Sequence, residues 1–338
     1  MTSVNSQSHF VKFSVAMCTY NGSRFLAEQL ESLRGQTRQP DELIVCDDGS
    51  SDDTVEIVRR FAAAAPFPVK LTVNAKNLGS TKNFEQAIRR CSGDLIALAD
   101  QDDVWLPEKL ARTENLFAAR PEVGAVFTDG EMVDENLELL HQRLWSSIGF
   151  DQRKQRKVKT GQALRLLIDG NFATGATMAF RSKYRELVLP IPQIEECIHD
   201  AWIVLLISAV AQLDFIEQPM ILYRQHAGQQ LGIDPEDYAP IKSNLRTDLL
   251  SGRTRPTSFV TEIKKCQNLR ERLLACNKDY DCRAALAQVE RKLIHFETRN
   301  NMPRKKVERV RQVLRELLTL RYHSYSRGFK SAAKDLFV

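Results

Sequence analysis

The sequence predicts an α/β protein: a mostly parallel, Rossmann-like sheet covered by helices, with a helical C-terminal extension. Three observations predict it. Apolar runs in the first 130 residues are continuous rather than alternating, and helix-period segments of about 10–15 residues separate them, the pattern of strands buried on both faces. Polar residues cluster where those runs end, which is where parallel sheets bind ligands. After about residue 240 the strand signal vanishes and cations accumulate. Ala239–Val338 holds 23 Lys+Arg against 10 Asp+Glu, leaving 25 against 33 in the remainder.

The elements follow in order. FSVAMCTY (13–20) reads as a buried strand. A helix from Ser23 places Leu26, Leu30 and Leu33 on one face and stops at Gly35. LIVCDD (43–48) is the second strand. The next helix takes Ser50 or Ser51 as its cap, carries Asp52, Asp53 and Glu56 in its first turn, and buries Val55, Val58 and Phe61. VKLTVN (69–74), a helix around Phe84–Ile88 and LIALAD (95–100) repeat the unit. A helix restarts at Pro107, a favoured first helical position, and Val123–Asp129 adds a strand. Residues 141–160 are polar, basic and poorly periodic, and read as a mobile loop. A helix at 161–169, a strand at 175–180, an apolar helix at 201–212 and a strand pair near 213–224 complete this part. Beyond it only helices are predicted, with stripes Leu286, Val289, Leu293, Phe296 and Val307, Val310, Leu314, Leu317. The boundaries drawn are 1–130, 131–238 and 239–338.

Composition excludes several classes. Hydrophobic content of 43% and charged content of 27% suit a soluble globular chain. Ala201–Leu213, the longest apolar stretch without charge, is shorter than the roughly 20 residues that span a bilayer. No secretory signal opens the sequence. The seven cysteines form no C-x-x-C pair and no zinc spacing, so buried free thiols in a reducing cytoplasm are expected.

Three strand ends carry polar residues that a stable fold does not require: Thr19-Tyr20-Asn21-Gly22, Asp47-Asp48-Gly49-Ser50 and Asp100-Gln101-Asp102-Asp103. Each has a local reading. The first is turn chemistry, and the second is a helix cap. Carboxylates crowded at the end of a buried strand, however, repel one another unless a cation or a donor-rich ligand lies between them. Taken together, the three point to a site for a divalent metal and a diphosphate.

The pieces AMCTYNGSRFLAEQLESLRGQT, LIVCDDGSSDDT, NLGSTKNFEQAI, ALADQDDVWLPEKL and HDAW (199–202) resemble the family 2 glycosyltransferases of the GT-A nucleotide-sugar-binding fold, over about residues 12–226. YRQH (223–226) and the DQDDVW form of the carboxylate motif look most like bacterial rhamnosyltransferase-type members. The resemblance implies that residues 1–130 form the nucleotide-sugar-binding half and 131–238 the acceptor and catalytic half. It also implies that Thr19, Tyr20 and Asn21 hold base and ribose, and that Asp48 accepts a hydrogen bond from the imide N–H of uracil or thymine. Asp100 then lies toward the ribose, and Asp102 binds Mg²⁺ or Mn²⁺ bridging the diphosphate, with Asp103 supporting the turn. Asp200 falls on the position of the general base for an inverting transfer, and a helix cap is its local alternative. His226 reaches the metal or diphosphate in related members, while a surface histidine is the bland reading. Asn171, Thr174 and Gly175 sit where the acceptor or donor-sugar pocket begins. His199 and Trp202 are candidate acceptor contacts, and Trp202 has an equal reading as core. The absence of a Q-x-x-R-W signature disfavours processive polymerisation.

The expected activity is therefore metal-dependent transfer from a nucleotide-sugar donor to a saccharide or polyprenyl-linked acceptor, in bacterial surface polysaccharide synthesis. The donor favoured is dTDP-L-rhamnose, with UDP-hexose next. A sugar-nucleotide nucleotidyltransferase would need a glycine-rich basic loop after the first strand, where TYNGS stands. A non-catalytic binding module should have lost the base or the metal carboxylates. Nucleic-acid binding lacks a recognition motif and is opposed by the acidic front. For the basic extension, whose cations mostly avoid the Val307–Leu317 stripe, three readings stay open: a solvated cap, docking on an anionic membrane from the cytoplasmic side, or a homodimer contact.

Overall fold

The computed structural model describes residues 11–194, 197–229 and 259–337. Strands β1 (Phe13–Thr19), β2 (Glu42–Asp47), β3 (Val69–Val73) and β4 (Leu95–Ala99) are parallel in the order β3-β2-β1-β4, connected through α1 (Leu26–Arg34), α2 (Thr54–Ala64) and α3 (Ser80–Arg90). There follow β5 (Val104–Trp105), α4 (Lys109–Ala119), β6 (Val123–Val133), β7 (Leu139–Arg143), α5 (Leu144–Ser147), α6 (Gln152–Lys159) and α7 (Ala163–Leu167). Then come β8 (Ala179–Arg181), α8 (Arg185–Val188), α9 (His199–Val210) and β9 (Gln212–Arg224). The sheet continues β4-β8-β6-β9-β5, with β7 paired to β6. β8 is antiparallel to both its neighbours, β4 and β6, whereas β6 and β9 are parallel.

The continuous apolar strands have a direct cause. Alternate residues of one strand enter different cores. Ala16, Ile44, Cys46, Ile96 and Leu98 face the core shared with α3 and α9. Val15, Met17, Leu43, Val45, Ala97 and Ala99 face the core under α1, α2 and α4. Strand register then sets the site. Thr19 pairs with Asp47 and Met17 with Ala99, so the loops after β1, β2 and β4 emerge side by side on one rim. Antiparallel β8 brings residues 174–178 back to that rim, where Leu98 N–H donates to the Met178 carbonyl at 3.0 Å.

Several expectations are corrected. Residues 141–160 are not a loop: they hold the end of β7, α5 and α6. Trp145, Phe150 and Val158 are buried there, with Phe150 stacked on Phe172 at 4.8 Å. Aromatics spaced to fill a core from short elements leave no helix period to read. α2 is not capped by Ser50 or Ser51: Asp53 is its cap residue and makes no side-chain cap bond. The strand pair near 213–224 is one 13-residue strand that stays beside β6 through register shifts. The helix expected from Pro107 begins at Lys109.

The C-terminal helices are α10 (Phe259–Cys276), α11 (Arg283–Asn300), α12 (Lys306–Leu318), α13 (Arg321–Tyr325) and α14 (Phe329–Phe337). Residues 239–258 of the expected extension lie outside the described residues. α10 and α11 share the core of α9 through Cys266, Leu269, Leu273 and Val289. α12–α14 close a small cluster of their own around Val313, Tyr322 and Ala332. The stripe of α11 is largely buried as expected. That of α12 is not, since Val307, Val310 and Leu314 are exposed. All seven cysteines are free, six of them buried. Among the described residues no helix is long and apolar enough to cross a membrane.

Candidate functional site

A cleft of about 740 Å³ opens on the rim where the three strand-end loops meet. Thr19, Tyr20, Asp48, Asp100 and Asp102 line it from the first half of the sheet, and Thr174, Gly175, His199 and Asp200 from the second. These nine sequence-predicted residues divide between its two walls, while Asn21, Asn171, Trp202 and His226 do not line it.

The first wall is held by backbone clamps. Gln101 Oε1 accepts from Tyr20 N–H at 2.8 Å, and its Nε2 donates to the Tyr20 carbonyl at 3.1 Å, tying the loop after β4 to the loop after β1. Thr19 Oγ1 donates to Asp47 at 2.8 Å. Asp48 is buried, and its carboxylate accepts from Asn74 Nδ2, Leu78 N–H and Gly79 N–H, each at 2.8 Å. A carboxylate offers about four lone pairs, so Asp48 retains capacity for one more donor in the cleft. Asn21 does not line the cleft. Its side chain accepts from Ser51 N–H at 2.9 Å, while its own N–H donates to Ser50 Oγ at 2.9 Å, so it braces the second loop.

The carboxylates differ in setting. Burial, Asp102 and then Asp200 push the Asp100 carboxyl up to about 7, against a downward pull from Lys109. Asp102 Oδ2 lies 2.9 Å from His226 Nε2. Asp103 is fully buried and faces the backbone of β9, where it accepts from Arg224 N–H at 3.1 Å. Burial first, and Asp102 second, raise its carboxyl well above the usual range.

Asp200 stands in the first turn of α9, whose cap residue is Ile198, so it is not the cap. It accepts from Gly175 N–H at 3.1 Å and from Ala201 N–H. Burial pushes its carboxyl up to about 6 against those bonds. The neighbouring His199 stacks on Phe84 with ring centroids 4.0 Å apart, and neither ring nitrogen has a hydrogen-bond partner. Burial holds that imidazole neutral, with its pKa lowered to about 3. The stack joins α9 to α3 and so sets the helix that carries Asp200 against the first wall.

Two expected contacts fall elsewhere. Trp202 is core: its indole donates to the Val188 carbonyl at 3.0 Å, away from the cleft. Asn171 folds onto Ala173 through two hydrogen bonds and lines a separate cavity of about 160 Å³. Hydroxyls and amides in a glycine-containing segment carry too little information to say which of them turns inward.

The fit to a divalent cation rests on Asp102 and His226. Among the described residues no three His, Cys, Asp or Glu side chains converge. Hard cations that also hold phosphate oxygens need few protein ligands, so a pair suits a cation completed by a diphosphate better than a self-sufficient metal site.

Residues 14–187 match the family described as Glycosyl transferase family 2. The chain belongs to that family. As a family 2 member with the GT-A fold, it is 27% identical over 220 residues to an uncharacterized glycosyltransferase of Nostoc sp., covering 64% of this chain and 65% of the relative. It is 35% identical over 97 residues to the UDP-Glc:alpha-D-GlcNAc-diphosphoundecaprenol beta-1,3-glucosyltransferase of Escherichia coli, covering 29% of this chain and 37% of that enzyme. It thus spans less than two thirds of the length of either. Among solved structures, TarS 1–349 of S. aureus, in complex with UDP-GlcNAc, shares the fold with a TM-score of 0.56 at 14% identity, over 96% of this chain and 90% of that one.

This family 2 chain also uses residues to which the sequence reading gave no role. Arg224, buried at the end of β9, donates from Nε to the Asp102 carbonyl at 2.7 Å and pairs with Glu28. Its guanidinium packs 4.5 Å from the Phe25 ring centroid. It therefore positions the carboxylate loop from behind. YRQH held the signal, since an arginine one residue inside an apolar strand needs a buried partner. Gln101 and Phe84 lie within the motifs, yet their contacts are to Tyr20 and His199, which are distant in sequence.

Proposed function

We propose that the chain is a cation-dependent, inverting glycosyltransferase acting on a pyrimidine nucleoside-diphosphate sugar, with dTDP-L-rhamnose the first candidate donor and a UDP-hexose the second. The observation that carries the reading is the sharing of one cleft by Asp200, brought from α9, and by Asp100 and Asp102, brought from the end of β4. One carboxylate set suits a diphosphate and its counter-ion. The other carboxylate, with its pKa near 6, suits proton abstraction near neutral pH.

In this reading Tyr20 and Thr19 flank the nucleoside, and the remaining acceptor capacity of Asp48 takes the imide N–H of the base. Asp102 and His226 hold Mg²⁺ or Mn²⁺, which when bound offsets the negative charge of the departing diphosphate. Asp200 takes the proton from an acceptor hydroxyl. The oxygen bonds to the anomeric carbon as the bond from that carbon to the diphosphate oxygen breaks, which inverts the centre and releases nucleoside diphosphate. The E. coli relative is named for a diphosphoundecaprenol acceptor, which supports a saccharide or polyprenyl-linked acceptor here, in surface polysaccharide synthesis.

A thermal-shift screen of nucleotide sugars with Mn²⁺, with and without chelator, tests the donor site, because a ligand that binds only folded protein raises its apparent stability. A cation-dependent shift with dTDP- or UDP-sugars supports the reading. No such shift with any nucleotide overturns it.

A further inference from the structure

We propose that the outer face of α12 and α14 is a docking surface for an anionic lipid bilayer. Val307, Val310, Leu314 and Leu318 recur at i, i+3, i+7 and i+11, which places them on one face of α12. They are 83%, 44%, 53% and 85% exposed. The helix instead packs inward through Val313 and Glu316. An amphipathic helix in a globular protein normally turns its apolar stripe to the core. Here the stripe points out. The adjoining α14 exposes Phe329 and Phe337, each four positions from Ala333 and so on one side of that helix.

Charge selects the occupant. Residues 301–337 carry ten Lys+Arg and three Asp+Glu. Two of the three carboxylates are turned inward, Glu316 to His295 at 2.8 Å and to Arg321 at 2.6 Å, and Asp335 to Arg299 at 2.6 Å and to Tyr322 at 2.7 Å. Arg311 and Arg315, both exposed, lie beside the leucine stripe, and Lys330 and Lys334 lie beside Phe329 and Phe337. Apolar side chains rimmed by cations match the two layers of a bilayer surface, acyl chains beneath anionic headgroups. A second copy of the chain fits less well, because a two-fold contact sets the same patch against itself and would oppose like charges.

The test uses the full chain with vesicles of phosphatidylcholine and vesicles of phosphatidylcholine plus phosphatidylglycerol, read by co-sedimentation. The protein should sediment with the anionic vesicles, not the neutral ones, and less so as salt rises. Leu314→Glu/Leu318→Glu and Arg311→Glu/Arg315→Glu change only exposed positions and should each lower the partition coefficient by about tenfold or more. No binding of the parent protein to anionic vesicles overturns the proposal, as does unchanged binding by the leucine variant. Dimerisation in light scattering that the leucine variant abolishes, with vesicles left bare, assigns the face to a second copy and overturns it too. The nucleotide-dependent thermal shift should be the same in every variant. Its absence throughout would count against the donor site and leave this face untouched.

Discussion

Asp102 Oδ2 and His226 Nε2 lie 2.9 Å apart, joining the loop after β4 to the turn after β9. His226 Nδ1 accepts from Gly228 N–H at 3.2 Å, so in the neutral ring the proton sits on Nε2 and points at Asp102. Adjacent ligands about 2.1 Å from one ion are themselves about 3 Å apart. If the pair holds the proposed cation, the ion would take the place of that shared proton with little movement of either side chain. With a cation on Nε2 the neutral ring would carry its proton on Nδ1, at the expense of the Gly228 bond.

Asp102→Asn should therefore abolish the Mn²⁺-dependent part of the nucleotide thermal shift. His226→Ala should weaken nucleotide affinity by about 10–100-fold, the worth of one bond to a charged group. Calorimetric titration of UDP and dTDP with and without Mn²⁺ reads both. Equal Mn²⁺ dependence in Asp102→Asn and the parent would remove Asp102 from the cation site.

Asp200→Asn should lower turnover by about 10²–10⁴, the usual contribution of a general base, and leave nucleotide affinity in place. The pH profile adds an independent check. Burial raises the Asp200 carboxyl to about 6, so the basic carboxylate predominates above that pH and is lost below it. kcat/KM should rise with pH through about 6, then level off. A profile flat down to pH 5 would contradict the role.

Gly22→Ala separates donor binding from folding. A Cβ at Gly22 would lie 2.2 Å from Gln101 Oε1, the end of a side chain able to swing away. Moving it breaks both bonds to Tyr20, so nucleotide affinity should fall while the melting temperature of the free protein changes little. Gln101→Ala should reproduce the effect. A large drop in stability with unchanged affinity would mean that the glycine serves packing alone.

Much of the first wall was legible in sequence because its physics is local. Buried parallel strands write continuous apolar runs, and carboxylates at their ends stand out against them. Asp200 was legible only through the company of HDAW, since one acid before an apolar helix resembles any cap. What eluded the sequence is what depends on register and topology. Antiparallel β8 is a short apolar segment like the parallel strands β1 to β4. Asn21 and Asn171 look like ligand contacts until their amides are found bonded to Ser51 and Ala173. The outward stripe of α12 has the same period as an inward one. The 3.6-residue repeat reports a face and is silent on what covers it.

Lys292 offers the sharpest test of how the C-terminal helices serve the cleft. It is buried on α11, with its ammonium 2.9 Å from Glu262 of α10 and 3.3 Å from Asp169, and it donates to the Ile168 carbonyl. Residues 168–169 lead directly into the segment that carries Thr174 and Gly175. Burial works against the charged form of Glu262, yet Lys292 and Lys265 outweigh it and hold its pKa below the ordinary value. A carboxylate with a lowered folded-state pKa stabilises the fold above its unfolded value, and that share is lost as pH falls through the folded one. Lys292→Met removes the cation that Glu262 and Asp169 share, leaving Glu262 only Lys265 at 3.2 Å, and should cost about 3–5 kcal/mol at neutral pH. Glu262→Gln added to it should recover part of the loss, since the partners are coupled. Urea denaturation of the two single variants and the double variant measures that coupling. If the penalties simply add, the cluster is a set of independent contacts and the C-terminal helices do not brace the second wall of the cleft through Lys292.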